Sequence, residues 1–430
     1  MNSGSSDKVV RMAKIAIIGS RGIPANYGGF ETLAENLVRH LGKKHEFIVY
    51  CSSLAYTEKP DRHLNAELRY IPFDANGWQS IPYDIWSMVD AARRADILLI
   101  LGVSGCIFLP VLKLLSRKKI VVNLDGLDSQ RPKWGRLTKT FLKLSETIAA
   151  HFADKLISDN DAIKKYIAEE YSEESFLVEY GGDNALCALP TTDNSDLSVV
   201  ALHKSTGNER PVDIEFDDYA VAVCRIEPEN NIHVILEAFT TADSLPLVFL
   251  GNWSVSEYGL QLRKKYAHHP KLQLLDPIFE PEKLFAIRSN ASMYIHGHSS
   301  GGTNPSLVES MTLGLPVITF DVVFNRATTE DQALYFTDAE NLATALCNLE
   351  NLDLEDNAKR MREIAGRRYA WSIISSKYSN LFASVGGLSE APFELEAVVN
   401  EAVVNETVTQ PPPSPVPIAN MSQTNSKRAV

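Results

Sequence analysis

The densest group of residues able to do chemistry is His296-Gly-His298-Ser-Ser-Gly301-Gly302-Thr303-Asn304-Pro305-Ser306-Leu-Val-Glu309. A β-type run ends there in a glycine loop, and Pro305, which has no N–H to waste in a first helical turn, opens a helix carrying Glu309 on its second turn. Backbone N–H groups from Gly302 to Ser306, Pro305 excepted, would converge with the helix dipole on an anion such as a diphosphate. Glu309 would act as a fixed, ionised acceptor for ribose hydroxyls. A second constellation is Gly19-Ser20-Arg21-Gly22-Ile23-Pro24, followed by Tyr27-Gly28-Gly29-Phe30-Glu31 at a helix start. Glycines at such a turn let the backbone approach a phosphate or sugar. Its spacing fits neither the dinucleotide fingerprint nor a P-loop, which lowers readings that need NAD or ATP. Arg225 at the end of another apolar run could clamp a diphosphate with a bidentate fork. Asp125 in Asn123-Leu-Asp125 stands at the mouth of a strand, where water-poor surroundings would raise its pKa and suit it to accept a proton from a hydroxyl. His296 and His298 have no third ligand at a fitting spacing, so no metal site is expected. On spacing alone the first glycine loop could equally be a structural turn, and Arg225 and Glu309 members of ordinary ion pairs.

These residues must be positioned by something, and the punctuation of the chain says what. Short β-rich runs alternate with helical patterns: Lys14–Ile18, Phe30–Leu41, Phe47–Tyr50, Ile97–Leu101, Ile120–Leu124, Lys155–Ser158, then Tyr219–Cys224, Ile232–Thr240, Leu247–Leu250, Leu272–Leu274, Met293–His296, Pro305–Leu313 and Val317–Phe320. This is α/β text, two Rossmann-like parallel sheets in tandem, each aiming the loops at its strand ends into a shared cleft. The length of 430 residues supports two domains. We expect a disordered N-terminus at 1–12, a first Rossmann-like domain at 13–183, a linker or insertion at 184–218, a second Rossmann-like domain at 219–370, a terminal helix at 371–386, and a disordered, proline-rich tail at 387–430.

Bulk properties exclude some classes. A net charge of −12 argues against nucleic acid as a partner. Five cysteines without a CxxC pair favour a reducing compartment. The polar Met1–Asp7 stretch lacks a signal-peptide core, and Ile97–Leu112, with Gly102, Gly105 and Pro110, reads as strand, turn and helix rather than a span, so a cytoplasmic location is expected. One run is basic: Arg131, Lys133, Arg136, Lys139 and Lys143 interleave with Trp134, Leu137, Phe141, Leu142 and Leu144. Such a helix is either a solvated face or a peripheral contact with an anionic membrane surface, on the inner membrane face.

The stretch Lys14-Ile-Ala-Ile-Ile-Gly-Ser-Arg-Gly-Ile-Pro-Ala-Asn-Tyr-Gly-Gly-Phe-Glu31 resembles the opening of a rhamnosyltransferase-like branch of the family 4 glycosyltransferases, with its YGGFE motif. Asn123-Leu-Asp125-Gly-Leu-Asp128 followed by Lys133-Trp134 resembles that branch's next motif, with Asp128 where Glu is the rule. Glu309 matches the second glutamate of the family's Glu-x7-Glu motif, whereas Gly301 stands at the first, and Asn230 stands where Arg225 usually has a lysine partner. Phe324-Asn325 resembles a turn near the donor sugar, with Asp321 and Asn325 as weaker site candidates, and Tyr369-Ala-Trp371 with the helix through Tyr378 and Phe382 resembles a helix that crosses back. The resemblance spans about Ala13 to Phe382. It implies the GT-B fold and metal-independent transfer of a hexosyl or 6-deoxyhexosyl residue, rhamnosyl before others, with retention of configuration. The donor would be a nucleoside diphosphate sugar, bound as substrate with no further cofactor, and the acceptor a carbohydrate or lipid-linked glycan of surface polysaccharide synthesis. Asp125, Arg225 and Glu309 would be catalytic. Gly19, Arg21, Gly22, Arg225, Gly301, Gly302, Thr303, Asn304, Ser306 and Glu309 would face the donor, and Tyr27, Gly28, Gly29, Phe30, Glu31, Asn123, Asp125 and His298 the acceptor or sugar. Competing readings are a catalytically silent sugar-nucleotide-binding protein, suggested by Gly301 and Asn230, a nicotinamide-dependent oxidoreductase, supported only by the strand–helix alternation, and a non-hydrolysing sugar epimerase.

Overall fold

Strands buried on both faces need continuous apolar runs, and the run Ile97–Leu101 is a strand with every residue buried. In the computed structural model, which describes residues 12–25, 28–124, 126–127, 129, 131, 134–186 and 214–386, that strand (β5) lies near the centre of an eight-stranded sheet. Its companions are β1 (Lys14–Ile18), β2 (Glu46–Ser52), β3 (Arg62–His63), β4 (Ala66–Ile71), β6 (Lys119–Asn123), β7 (Lys155–Ser158) and β8 (Ser175–Leu177). The order is β3-β4-β2-β1-β5-β6-β7-β8, parallel throughout except for the β3–β4 pair. Ile17 pairs with Val49 on one side and Leu99 on the other, so the winding reverses between β1 and β5. The carboxyl ends at such a reversal form a crevice. Helix α1 (Gly29–Leu41) covers the sheet with Leu33, Ala34, Leu37, Val38 and Leu41, an apolar stripe at helical spacing. Four further helices belong to this layer set: α2 (Ser80–Arg94), α3 (Leu109–Leu115), α4 (Arg136–Phe152) and α5 (Asp161–Tyr171).

The second sheet has the order β11-β10-β9-β12-β13-β14 and is wholly parallel. Its strands are β9 (Ala220–Val223), β10 (Leu247–Leu250), β11 (Leu272–Leu275), β12 (Met293–His296), β13 (Val317–Phe320) and β14 (Leu334–Phe336). The helices between and after them are α6 (Ile232–Thr241), α7 (Glu257–Tyr266), α8 (Pro281–Ser289), α9 (Pro305–Thr312), α10 (Val323–Thr329), α11 (Ala339–Cys347) and α12 (Leu354–Arg368). A last helix, α13 (Trp371–Gly386), returns to the first sheet, where Phe382 meets the His45 ring edge-on at 5.8 Å. The outgoing and returning chain segments are tied together: Gly182 N–H donates to Tyr369 O at 2.7 Å and Trp371 N–H to Asp183 Oδ1 at 2.7 Å. Gly181 is required there, because a Cβ would lie 2.5 Å from the Trp371 ring. The termini, residues 187–213 and the positions of Tyr27 and Asp125 lie outside the described residues.

Candidate active site

Two helix N-termini confront each other across the cleft. Gly29 begins α1, and a Cβ placed on it would lie 3.4 Å from Cγ of Pro305, which begins α9. Partial positive charge from both helices therefore accumulates at one place. The α9 start is built as the sequence predicts: Asn304 caps it, its Oδ1 accepting from Ser306 N–H at 3.0 Å and from the Ser306 hydroxyl at 2.8 Å. That use of Oδ1 turns the Asn304 amide toward His298, where Nδ2 donates to Nε2 at 2.8 Å. His298 consequently carries its ring proton on Nδ1, which has no partner among the described residues. Burial holds the His298 pKa well below the usual imidazole range, and His296, Arg225 and Arg131 push it the same way. Stacked on it at 5.1 Å is His296, whose pKa burial lowers to about 3. The pair is a neutral donor surface rather than a charged one.

Arg225 follows β9 and is exposed, and its guanidinium makes no ion pair among the described residues. Its charge bears on His298 of its own domain and on Glu31 of the other. Asn230 is buried, and its amide donates to Arg225 O at 2.6 Å, which braces the loop that presents the arginine. The adjoining chain segments are fastened: Ser299 N–H and its hydroxyl both donate to Glu229 O, at 3.0 and 2.8 Å, and Asn231 Nδ2 donates to Gly297 O at 3.0 Å.

The first-domain loop is shaped by glycines at positive φ. Gly19 has φ +96°, and a Cβ there would meet Leu101 O at 2.1 Å. Gly22, at φ +114°, lies against Cys51. Glu31 was expected to face sugar, but its carboxylate accepts the Arg21 N–H at 2.6 Å and holds this loop instead. Burial pushes the Glu31 carboxyl up, partly offset by that N–H and by the Arg21 and Arg225 charges. The Arg21 side chain, expected at the donor, is turned to Asp74, with Nε 3.9 Å from Oδ1, and lies against the side-chain amide of Asn76. Phe30 packs beside Gly102, and Asn123 ends β6 with both amide atoms buried and no partner among the described residues.

Three residues that sequence reasoning missed close the cleft. Asp159, after β7, accepts Thr303 N–H on Oδ2 at 3.1 Å, and its backbone O takes the Thr303 hydroxyl. A carboxylate thus holds an N–H expected to meet the diphosphate. Gly302 permits it, since a Cβ there would lie 2.0 Å from Asp159 Oδ1, whereas nothing lies within 4 Å of a Cβ on Gly301. Arg288 on α8 contacts Glu309 Oε2 at 2.6 Å, and Asn184 Nδ2 donates to Oε1 at 2.8 Å. Both oxygens of the expected ribose acceptor are engaged. These contacts join residues far apart in sequence and leave no local signal. Asp321 is held by Arg326, and Asn325 donates to His298 O and Phe320 O at 2.8 and 2.9 Å, so both shape the loop ends. Among the described residues no group of three His, Cys, Asp or Glu side chains could hold a metal ion, and no helix is long and apolar enough to cross a membrane.

Residues 12–183 match a domain of unknown function (DUF1972), and residues 209–368 match glycosyl transferases group 1. No curated protein matches the chain. Among solved structures, sucrose-phosphate synthase (tll1590) from Thermosynechococcus elongatus superposes with a TM-score of 0.70 at 14% identity, covering 88% of this chain and 100% of the other. Anabaena Alr3699/HepE in complex with UDP gives 0.63 at 14% identity over 87% of this chain and 100% of that one. The catalytic domain of starch synthase IV from Arabidopsis thaliana, bound to ADP and acarbose, gives 0.63 at 13% identity over 88% and 100%. With residues 209–368 matching glycosyl transferases group 1 and the two sheets arranged as in GT-B structures, the chain is a glycosyltransferase.

Proposed function

We propose that the chain moves a hexosyl or 6-deoxyhexosyl residue, rhamnosyl in the first instance, from a nucleoside diphosphate sugar to a carbohydrate or lipid-linked acceptor in surface polysaccharide synthesis, without a metal ion. The observation that carries this reading is the exposed Arg225, whose charge acts on His298, together with the proton-bearing Nδ1 of that ring and the capped α9 N-terminus. As the glycosyl bond breaks, negative charge grows on the leaving diphosphate, and fixed positive groups aimed there lower the barrier. Neutral His298 can donate to a phosphate oxygen without first paying to be charged. The relatives bound to UDP, UDP-glucose and ADP support a nucleotide in this cleft. The YGGFE stretch supports the rhamnosyl choice, and an open Gly301 leaves room for a sugar with different hydroxyls. Asp125 is assigned to orient the acceptor hydroxyl. For a lipid-linked acceptor, α4 offers Leu137 and Leu144, 89% and 52% exposed, beside Arg136 and Lys139. Lys143 of the same run is bound inward, to the Tyr166 and Tyr171 hydroxyls at 2.6 and 2.7 Å.

The test is calorimetric titration in EDTA with deoxythymidine, uridine and guanosine diphosphates and with NAD. Micromolar binding of one diphosphate, followed by turnover of its sugar conjugate, is expected. Preference for NAD overturns the reading. Diphosphate binding with no turnover on any glycan acceptor leaves the silent binding protein instead.

A further inference from the structure

A nucleoside diphosphate leaves with more than one negative charge, and among the described residues of the second domain the guanidinium that acts on His298 is the exposed Arg225. Asn230 adds no charge, its amide being neutral and spent on Arg225 O within its own loop. The other guanidinium acting on His298 comes from the opposite domain. Arg131 lies over Gly126, where φ is +76° and a Cβ would be 2.8 Å from Arg131 Nη2, and it reaches across to Glu229 Oε1 at 3.3 Å. Both side chains are largely buried, 14% and 5% exposed. Glu229 is in turn the residue whose carbonyl fastens Ser299. Arg131 is therefore held by its ion pair at the edge of the loop that carries His298.

We infer that Arg131 is the second cation of the donor diphosphate site, supplied in trans by the acceptor-side domain. Charge neutralisation of the leaving group then needs both domains in place, which couples tight diphosphate binding to closure of the cleft. The assignment rests on the donor site proposed above, so the experiment separates the two. Uridine, deoxythymidine and guanosine diphosphates and their monophosphates are titrated into the full chain without metal, and into Arg131→Gln, Glu229→Gln, the Arg131→Gln/Glu229→Gln pair, and Arg225→Gln. The double variant removes the buried ion pair as a unit and keeps the fold from being burdened by a lone buried charge. Loss of a charge-assisted hydrogen bond corresponds to a fall of roughly tenfold or more. The double variant should show that fall in diphosphate affinity relative to Glu229→Gln, with a smaller change for the monophosphate. Equal diphosphate affinity in those two variants, while Arg225→Gln binds weakly, overturns the role of Arg131 and leaves the donor site standing. Failure of the unaltered chain to bind uridine, deoxythymidine or guanosine diphosphate overturns both.

Discussion

Replacing Gly302 by alanine tests the contact that most directly joins the two domains at the site. A Cβ at position 302 would lie 2.0 Å from Asp159 Oδ1 and 2.4 Å from Cγ, closer than any real contact, so the whole carboxylate must swing away. The backbone of Gly302 has no left-handed φ, and alanine adds no strain of its own. What is lost is the bond from Thr303 N–H to Oδ2, now 3.1 Å long. A hydrogen bond to a charged group contributes a net ~1.5–3 kcal/mol, which makes local opening at that amide on the order of 10–100-fold more frequent. Hydrogen–deuterium exchange resolved at Thr303 is the assay. Exchange should accelerate by that factor in Gly302→Ala and in Asp159→Ala, and the two changes combined should do no more than either alone. Unaltered Thr303 protection in Gly302→Ala, or effects that simply add, would refute the reasoning.

Glu309→Gln should cost stability before it costs ribose contacts, because it leaves the buried Arg288 guanidinium facing a neutral amide. About 3 kcal/mol in denaturant unfolding is expected, largely recovered by Arg288→Met/Glu309→Gln, and an unchanged midpoint would show that the pair contributes nothing. The stacked histidines give a pH dependence with a definite sign. Their folded pKa values lie below the unfolded value of about 6.5, so the stability they contribute is complete above that pH and is lost as pH falls below it, by up to ~1.4 kcal/mol per pH unit for each ring, the His296 contribution running down to about pH 3. Unfolding midpoints between pH 7 and pH 5 should fall less steeply in His296→Asn, and an identical slope would remove His296 from the account.

Much of this architecture is legible in the sequence, for a specific reason. Central strands such as Ile97–Leu101, Leu247–Leu250 and Met293–His296 are buried on both faces, so their apolar runs have the same bounds as the strands. The outer strands escape that logic: β4, Ala-Glu-Leu-Arg-Tyr-Ile, alternates with polar residues, and β14 is three residues long at a sheet edge. At the site, glycine, proline and cap residues announce the α9 start because those conformations admit few residue types. What Glu309, Arg21 and Thr303 touch was not legible. Their partners Arg288, Asp74 and Asp159 sit on other elements, and only the assembled fold selects them.

The paired crossings between the domains have a mechanical consequence. Because the outgoing segment at Gly182 and the returning one at Tyr369 are bonded to each other, the two connections act as one pivot, and a rotation of either domain has a single fulcrum. Asn184 sits on that fulcrum, its amide oxygen accepting from Trp371 Nε1 at 2.9 Å while its nitrogen holds Glu309. A torque at the pivot is thereby delivered to the carboxylate on α9, and a ligand that pulls on Glu309 pushes back on the joint.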